Sequence, residues 1–174
     1  MDPDPHETRR RYDETVDMYE RRYSEIQREK YPRALNLLDF SPTDTVLDWG
    51  CGTCLVLPML EREDINYFGL DFSLPMLQRA RCRNAPNLVL GDCTRIPFRG
   101  RSFDRILGVT VIQNVASPGK ALGELSRVLK KGGKSVISYP KRARVSLPEF
   151  ENYGFRLLER AEINEDQALL LQLE

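Results

Sequence analysis

The chain has 174 residues, of which 41% are hydrophobic and 30% are charged, a composition typical of one water-soluble domain with its own core. Its 26 basic and 26 acidic residues give a formal net charge of zero, which excludes a global field that attracts nucleic acid or an anionic membrane. The first residues have no apolar segment typical of a secretory signal, and no stretch approaches the roughly 20 apolar residues of a membrane span. We therefore expect one cytoplasmic domain, 1–174, with no membrane association and with its four cysteines reduced.

The first part of this domain, residues 1–40, is predicted to be helical. Residues 7–38 are rich in charge, tyrosine and good helix formers, contain no glycine, and have proline only at position 32. A proline disfavours helical geometry at the residue before it. The pattern therefore predicts one or two N-terminal helices with a break near Tyr31 and Pro32.

The core, residues 41–174, alternates short apolar runs with helical segments. The runs that predict strands are TVLDW, INYFGLD, NLVLGD, RSFDRILGVTVI and GKSVISY. The intervening segments LVLPMLERE, SLPMLQRARCR and SPGKALGELSRVLKKGG predict helices, the last stopped by Gly132-Gly133. The last part, LPEFENYGF, FRLLERAEI and QALLLQLE, predicts a helix and then two strands that could form a hairpin around Asn164-Glu165-Asp166. Repeated βα units indicate parallel strands with right-handed crossovers, hence a doubly wound α/β sheet.

The segment VLDWGCGTC holds two overlapping motifs, Cys51 with Cys54 and Gly50 with Gly52. A structural zinc site needs four ligands at matched spacing, and one Cys-x-x-Cys with two scattered cysteines and a lone His6 does not supply them. A redox Cys-x-x-Cys does not need the flanking glycines. We therefore expect no metal site and two thiols that fill a tight turn. The glycines suit a strand-to-helix turn whose backbone approaches a ligand closely.

Three successive predicted strands end in a carboxylate. These are Asp48, Asp71 and Asp92, and Asp71 follows Gly52 by nineteen positions, a spacing at which a carboxylate can accept hydrogen bonds from both ribose hydroxyls of a nucleoside. Each aspartate alone could be a helix cap or a turn former. Together they indicate a nucleoside site at the carboxyl edge of the sheet.

The series VLDWGCGTC, FGLDFSLPMLQRAR, LGDCTRIPF, SFDRILGVTVIQNV and ALGELSRVLKKGG resembles the class I S-adenosylmethionine-dependent methyltransferases of the type-11 group, over about residues 44–138. The resemblance implies a Rossmann-like α/β fold with an N-terminal helical extension and helices on both faces of a seven-stranded, mostly parallel sheet. The implied strand order is 3-2-1-4-5-7-6, with strand 7 antiparallel. A dinucleotide-binding fingerprint fits less well, because Leu55 stands where its third glycine would be.

The resemblance also implies how S-adenosylmethionine would be bound. The Gly50–Gly52 backbone would pack against its methionine part and ribose, Asp71 would hold the ribose diol, and Phe72 would cover the adenine. Asp92 would accept from the adenine amino group, and the Cys93 N–H would meet a ring nitrogen of the adenine. Asp48 would help to orient the amino group of the cofactor's methionine part. The backbone near Val109 and Thr110, at the end of strand four, would close the pocket. Relatives often have a third glycine in the turn, where this chain has Cys54.

The N-terminal segment and strand four supply the remaining candidate residues. Tyr12, Tyr19 and Tyr23 share a helix face and resemble the segment that folds over the cofactor in relatives, although packing onto the core is the alternative. Gln113 and Asn114 stand where relatives frequently carry histidines, and they are our candidates for substrate hydrogen bonds in catalysis. A sulfonium is an already activated methyl donor, so we expect positioning rather than a dedicated acid or base.

The sequence leaves the substrate open. The direct passage from strand five through PKRARVS, with no inserted cap, favours a macromolecular substrate such as tRNA or rRNA, while a small-molecule methyltransferase and a non-catalytic cofactor-binding scaffold are alternatives. In the implied strand order, Asn87 to Asp92 form an edge strand with no charge before Asp92. We therefore expect strand addition by another polypeptide, as in methyltransferases that form a heterodimer with a small zinc-binding activator subunit.

Overall fold

The computed structural model describes residues 3–60 and 65–174, apart from the side chains of Glu20, Arg22 and Tyr23. Within this part of the chain, seven strands form one sheet in the order β3-β2-β1-β4-β5-β7-β6. The strands are β1 (Thr45–Trp49), β2 (Asn66–Asp71), β3 (Leu88–Leu90), β4 (Phe103–Gly108), β5 (Leu129–Pro140), β6 (Phe155–Ile163) and β7 (Asp166–Leu173). All neighbours pair in parallel except β7, which is antiparallel to β5 and β6. The predicted fold class and strand order are confirmed.

Helices cover both faces of the sheet. They are α1 (Pro5–Leu38), α2 (Leu57–Leu60), α3 (Leu74–Arg81) and α4 (Pro118–Val128), with short 3₁₀ helices at Ile112–Asn114 and Phe150–Tyr153. One buried cluster joins α4 to side chains such as Leu47 and Trp49, and the other joins α1 and α3 to Tyr67 and Leu107. Because successive strand residues point to opposite faces, these two clusters are the two sides of one sheet. The predicted helix LVLPMLERE forms α2 at Leu57–Leu60, and its last three residues, 61–63, lie outside the described part of the chain.

The break predicted near Pro32 is wrong, since α1 runs from Pro5 to Leu38 with Pro32 inside it. A proline inside a helix removes one backbone hydrogen bond and costs about 3 kcal/mol. Tyr31, Ala34 and Leu38 on this stretch are buried in the core, and this burial offsets the cost. Arg105 on β4 donates to the carbonyl oxygens of Leu38 and Asp39 and so caps the end of the helix.

The predicted end of α4 at Gly132-Gly133 is also wrong. The helix ends at Val128, and β5 starts at Leu129, which is fully buried and pairs with Phe103. Both glycines lie inside β5, next to a register irregularity between Phe103 and Arg105. Burial and pairing of Leu129 therefore end the helix before the two glycines, because tertiary contacts override the local stop signal.

The other local differences also lie at element ends. The fourth strand stops at Gly108 rather than continuing to Ile112, because Thr110 adopts a left-handed φ of 61°. LPEFENYGF forms only the four-residue 3₁₀ helix Phe150–Tyr153, which ends at Gly154 with a φ of 77°. The predicted hairpin is confirmed, with its turn at Asn164, which has a φ of 53°.

Candidate active site

A cleft of about 980 Å³, counted with its solvent-facing mouth, lies at the carboxyl ends of β1, β2 and β4. The sheet order reverses between β1 and β4, and open α/β sheets bind ligands at such a switch point. Predicted residues that line the cleft are Gly50, Gly52, Asp71, Phe72, Asp92, Cys93, Val109, Thr110, Asn114, Tyr12 and Tyr19. Residues from five separate segments of the sequence therefore meet at one place.

The floor of the cleft is the turn after β1. Gly50 and Gly52 have φ values of 76° and 53°, and the N–H groups of Gly50 and Cys51 donate to the Leu70 carbonyl at 2.8 and 3.0 Å. A Cβ atom at Gly50 would lie 2.6 Å from Cγ2 of Val111, whereas one at Gly52 would lie 3.8 Å from the Tyr19 hydroxyl. Cys54 also has a left-handed φ, 56°, so this residue keeps the backbone shape that glycine would give in relatives.

Asp71 lies where β2 meets this turn and is only 6% exposed. Its Oδ2 accepts from the Gly52 N–H at 2.8 Å, and its Oδ1 accepts from the Ser73 N–H at 2.9 Å. Burial raises the pKa of Asp71 to about 6, although the backbone N–H groups oppose the shift. A carboxylate oxygen can accept more than one hydrogen bond, so both oxygens retain capacity for a ligand.

The third predicted carboxylate, Asp92, is exposed at the end of β3. Its Oδ1 accepts from the N–H and the hydroxyl of Thr94 at 2.6 and 2.7 Å, which fixes the orientation of the carboxylate. These two hydrogen bonds leave Oδ2 able to accept from a ligand. Phe72 and Cys93 also line the cleft, so the Phe72 ring and the backbone at Cys93 lie beside the carboxylates of Asp71 and Asp92.

Asp48 lies behind the cleft rather than in its lining. It is 4% exposed, and its Oδ2 accepts from the Tyr67 hydroxyl at 2.7 Å. Burial raises the pKa of Asp48 to about 7, with the charge of Asp71 adding to the rise and the Tyr67 hydrogen bond opposing it. The structure therefore gives no support to a direct contact between Asp48 and a ligand. The alternation of side chains along β1 directs Asp48 towards Tyr67.

Cys51 and Cys54 lie in the same buried layer. The Tyr67 hydroxyl lies 3.1 Å from the Cys54 sulfur. The pKa of Cys51 is raised well above its usual value, first by a hydrogen bond between Cys51 and Cys54 and then by burial. In the part of the chain that the structure describes, no group of three or more His, Cys, Asp or Glu side chains could hold a metal ion. The two thiols pack a tight turn.

We expect Cys51 to react with iodoacetamide far more slowly than Cys82, which is exposed and serves as the internal control. The thiolate is the reactive form, and its fraction falls roughly tenfold for each unit by which a pKa is raised. Peptide mass spectrometry after timed alkylation measures both rates in one sample. Modification of Cys51 in the folded protein as fast as Cys82 would contradict the structure.

The wall opposite Asp71 is the segment after β4, and it separates the two predicted catalytic residues. Asn114 lines the cleft, where its side chain donates to the Tyr12 hydroxyl at 2.9 Å and accepts from Arg11 at 3.2 Å. Gln113 is not among the lining residues, because its side-chain nitrogen donates to the Thr110 carbonyl at 2.6 Å. Gln113 is therefore placed to support the wall, and Asn114 is the one placed to meet a ligand.

Helix α1 covers the cleft. Tyr12 and Tyr19 line it, and the Tyr12 ring lies edge-on to Phe72 with centroids 6.1 Å apart. The Ser73 hydroxyl donates to Asp13 at 2.6 Å, which fixes this part of α1 beside the end of β2. The tyrosines therefore both pack onto the core and face the cleft. The side chain of the third predicted tyrosine, Tyr23, lies outside the described part of the structure.

Sequence reasoning missed Met76, Thr94, Val111 and Lys120, which also line the cleft. Met76 and Thr94 lie inside the motifs FGLDFSLPMLQRAR and LGDCTRIPF, but the resemblance assigned them no contact. Lys120 comes from the first turn of α4, and no local pattern singles it out.

Comparison with known proteins tests the resemblance. A family model described as "Methyltransferase domain" matches residues 47–137. The chain is 33% identical to the demethylmenaquinone methyltransferase of Mycolicibacterium vanbaalenii over 144 residues, covering 79% of this chain and 61% of that protein. It is 31% identical to mouse "Probable tRNA methyltransferase 9B" over 144 residues, covering 79% of this chain and 31% of that protein.

The chain belongs to the methyltransferase domain family. The prediction of a class I, S-adenosylmethionine-dependent methyltransferase of the type-11 group is confirmed, and with it S-adenosylmethionine as the cofactor. The chain spans less than two thirds of the length of either of these relatives. The fold is also similar to the methyltransferase chain in a complex with the Haloferax volcanii Trm112 methyltransferase activator. The two chains superimpose with a TM-score of 0.82 at 19% sequence identity, and the superposition covers 92% of this chain and 96% of that one.

The cleft of this methyltransferase fits an adenosine-bearing sulfonium. The turn lacks a side chain where the backbone must approach a ligand, and Asp71 offers carboxylate oxygens beside it. Phe72, Met76 and Val115 add apolar walls for a purine ring and a thioether.

Among the described residues, every helix is too short or too polar to cross a lipid bilayer.

Proposed function

We propose that this protein transfers a methyl group from S-adenosylmethionine to a nucleophile on RNA. Binding of the cofactor is supported by one contact at the switch point of the sheet, where the Gly52 N–H donates to Asp71 Oδ2 at 2.8 Å. A scaffold that never binds a nucleoside has no need of a buried carboxylate there. We expect the cytoplasm as its location.

In this proposal several residues of the cleft hold the cofactor. The Gly50–Gly52 backbone would contact its methionine part and ribose, Asp71 its ribose diol, and Phe72 its adenine face. Asp92 and the Cys93 N–H would meet the adenine edge, and Thr110 would close the methionine end. Asp48 would act on the turn from behind, through Tyr67.

The chemistry in this proposal is mainly one of position. The bound sulfonium supplies an activated methyl group, and the protein must align the nucleophile in a site that excludes water. Tyr12 and Tyr19 would exclude water from one side, and Asn114 would accept or donate a hydrogen bond at the mouth. The two existing hydrogen bonds of Asn114 orient its amide group before a substrate binds.

Cofactor binding should weaken as the pH falls below about 6, by about tenfold per pH unit, because only the ionised Asp71 accepts from both ribose hydroxyls.

The contribution of Asp71 to the unfolding free energy should change with pH in the opposite direction. Folding raises this pKa from 3.8, so the contribution of Asp71 to the unfolding free energy is fully present below pH 3.8 and is lost as the pH rises through about 6. Calorimetric titration and urea unfolding between pH 5 and 8 measure the two effects. Asp71→Asn should remove the pH dependence of binding due to this residue, and its persistence would assign the effect to another group.

RNA is favoured as the substrate by positive charge beside the cleft. Lys120 lies in the lining and Arg11 lies beside Asn114, so two cations flank the opening. Between β5 and β6 the backbone forms only the 3₁₀ helix Phe150–Tyr153, and Arg142 and Arg144 are on this connection. Cations near a reacting group suit the phosphates of a nucleic acid. The likeness to a tRNA methyltransferase supports the same choice.

A small-molecule methyltransferase is the second candidate, because α1 covers the cleft and the demethylmenaquinone methyltransferases are similar over most of this chain. Incubation with S-adenosylmethionine carrying a labelled methyl group, with total RNA in one reaction and an organic extract of the cells in the other, separates the candidates. Label in RNA supports the proposal. Label only in the extract supports the second candidate, and cofactor binding without transfer in any fraction would indicate a scaffold.

We further propose that a small zinc-binding activator subunit adds a strand to β3. The two edges of the sheet differ, since β6 carries the charges of Arg156, Glu159 and Arg160 and a register irregularity, whereas β3 is the uncharged run Leu88–Leu90. Charges and bulges protect an edge from pairing, so β3 is the edge left open. Leu90 is 49% exposed there. The superposition on a methyltransferase from an activator complex supports this partner.

A matched pair of variants tests the partner. We expect Leu90→Lys to abolish co-purification with a Trm112-type activator, because it places a charge on the pairing edge. Leu158→Lys on β6, where the leucine is 38% exposed, is the control and should retain the complex. A soluble, fully active monomer purified alone, or equal loss of complex in both variants, would contradict the proposal.

A further inference from the structure

A buried ion pair joins α1 to β7. Lys30 is 4% exposed, Asp166 is fully buried, and Lys30 Nζ donates to Asp166 Oδ1 at 2.7 Å. Charges removed from water this completely are tolerated only when further hydrogen bonds satisfy them. Neither residue lines the cleft, so the cofactor contacts proposed above do not account for them.

The hydrogen bonds of this pair converge on Thr110, which does line the cleft. Lys30 Nζ donates to the Thr110 hydroxyl at 3.2 Å, and that hydroxyl donates to Asp166 Oδ2 at 2.8 Å. The Ser138 hydroxyl also donates to Asp166 Oδ2 at 2.8 Å, and its oxygen accepts from the Thr110 N–H at 3.0 Å. Thr110 is thus fixed through both its side chain and its backbone.

Thr110 needs such support because of its backbone conformation. Its φ of 61° is left-handed, and a β-branched residue adopts this region only at a cost. Residues in strained conformations persist where the surroundings determine them, and they cluster at functional sites. Lys30 therefore helps to hold the wall of the cleft in a shape that Thr110 would not adopt alone.

The same helix face also carries the cover of the cleft. Tyr12 and Tyr19 precede Lys30 by 18 and 11 residues, close to five and three helical turns. The ion pair thus fixes both the cover, through α1, and the opposite wall, through Thr110. We propose that Lys30 and Asp166 are positioning residues that couple the docking of α1 to cofactor binding at Thr110, an inference that rests on the proposed binding of S-adenosylmethionine in this cleft.

The test compares two cations that join α1 to the sheet, the buried Lys30 and the partly buried Arg105. Arg105 fixes the end of α1 through the carbonyl oxygens of Leu38 and Asp39 but does not touch Thr110, so Arg105→Met is the control. Because Lys30→Met alone removes the cation that faces the buried Asp166 carboxyl group, the double variant Lys30→Met/Asp166→Asn is made as well. We expect the double variant to bind S-adenosylmethionine about five- to tenfold more weakly in calorimetry, the lower range of coupling between sites, with Arg105→Met binding as wild type does.

A cycle with Thr110→Val tests the route. If the ion pair acts through the Thr110 hydroxyl, adding Thr110→Val to the double variant should lower affinity no further, whereas a general structural role predicts additive losses. Wild-type affinity in the double variant, additive losses, or an equal loss in Arg105→Met would overturn the inference while leaving the proposed function intact. Failure of the wild-type protein to bind S-adenosylmethionine would instead overturn the proposed function.

Discussion

Replacing Asp71 with asparagine is expected to weaken S-adenosylmethionine binding by roughly 30- to 150-fold, or about 2–3 kcal/mol. The carboxylate is buried and already oriented by the N–H groups of Gly52 and Ser73, so it can accept from a ribose diol with little reorganisation. An amide keeps the size of the side chain but replaces one acceptor oxygen with a donor. Calorimetric titration at pH 8, where Asp71 is ionised, measures the change.

Asp104→Asn is the matched control for this substitution. Asp104 lies near the start of β4, at the end of the sheet opposite the cleft. Its carboxylate accepts hydrogen bonds from Lys130 at 2.8 Å and from the Thr45 N–H at 3.0 Å. Losing this half-exposed ion pair should lower the unfolding free energy by no more than about 1 kcal/mol and leave cofactor affinity unchanged. If both variants bind the cofactor as the wild type does, Asp71 does not hold it.

Replacing Gly50 with alanine is expected to abolish measurable cofactor binding and to lower the unfolding free energy by about 3 kcal/mol. The added Cβ would lie 2.6 Å from Cγ2 and 2.8 Å from Cγ1 of Val111, and the residue would still need a φ of 76°. Relief of the clash requires the turn or the Val111 wall to move, and both line the cleft. Urea unfolding gives the stability, and calorimetry gives the affinity.

Gly132→Ala separates the two causes of this effect. Gly132 has a φ of 75°, nearly the value of Gly50, but a Cβ there would meet no atom within 4 Å. This variant therefore carries only the backbone strain, about 1–2 kcal/mol, and should bind the cofactor normally. A Gly50→Ala protein as stable as Gly132→Ala, or one that keeps wild-type affinity, would show that the close approach to Val111 does not shape the site.

Residues at the carboxyl ends of strands could be predicted from the sequence because their positions depend only on local patterns. Gly50, Asp71 and Asp92 follow apolar runs that predict parallel strands, and such strands bring their carboxyl ends to one edge of the sheet. The resemblance then supplied the strand order, which the structure confirms. Local pattern and family motif agree at each of these positions.

Side-chain direction and distant partners could not be placed in this way. Asp48 has the same local pattern as Asp71, yet it points away from the cleft to Tyr67, nineteen positions along the chain. Lys30 and Asp166 are separated by 136 positions, and their hydrogen bonds to Thr110 depend on the packing of α1 against the sheet. Pro32 inside α1 is a third case, because burial overrides a local breaking signal.

The most direct test is a crystal structure of the protein with S-adenosylhomocysteine, the demethylated cofactor, at neutral pH. We expect the ribose hydroxyls within hydrogen-bond distance of Asp71, the adenine against Phe72, and the amino acid end over Gly50 and Gly52. A ligand bound elsewhere, or one in this cleft without contact to Asp71, would contradict the assignment of the cofactor site.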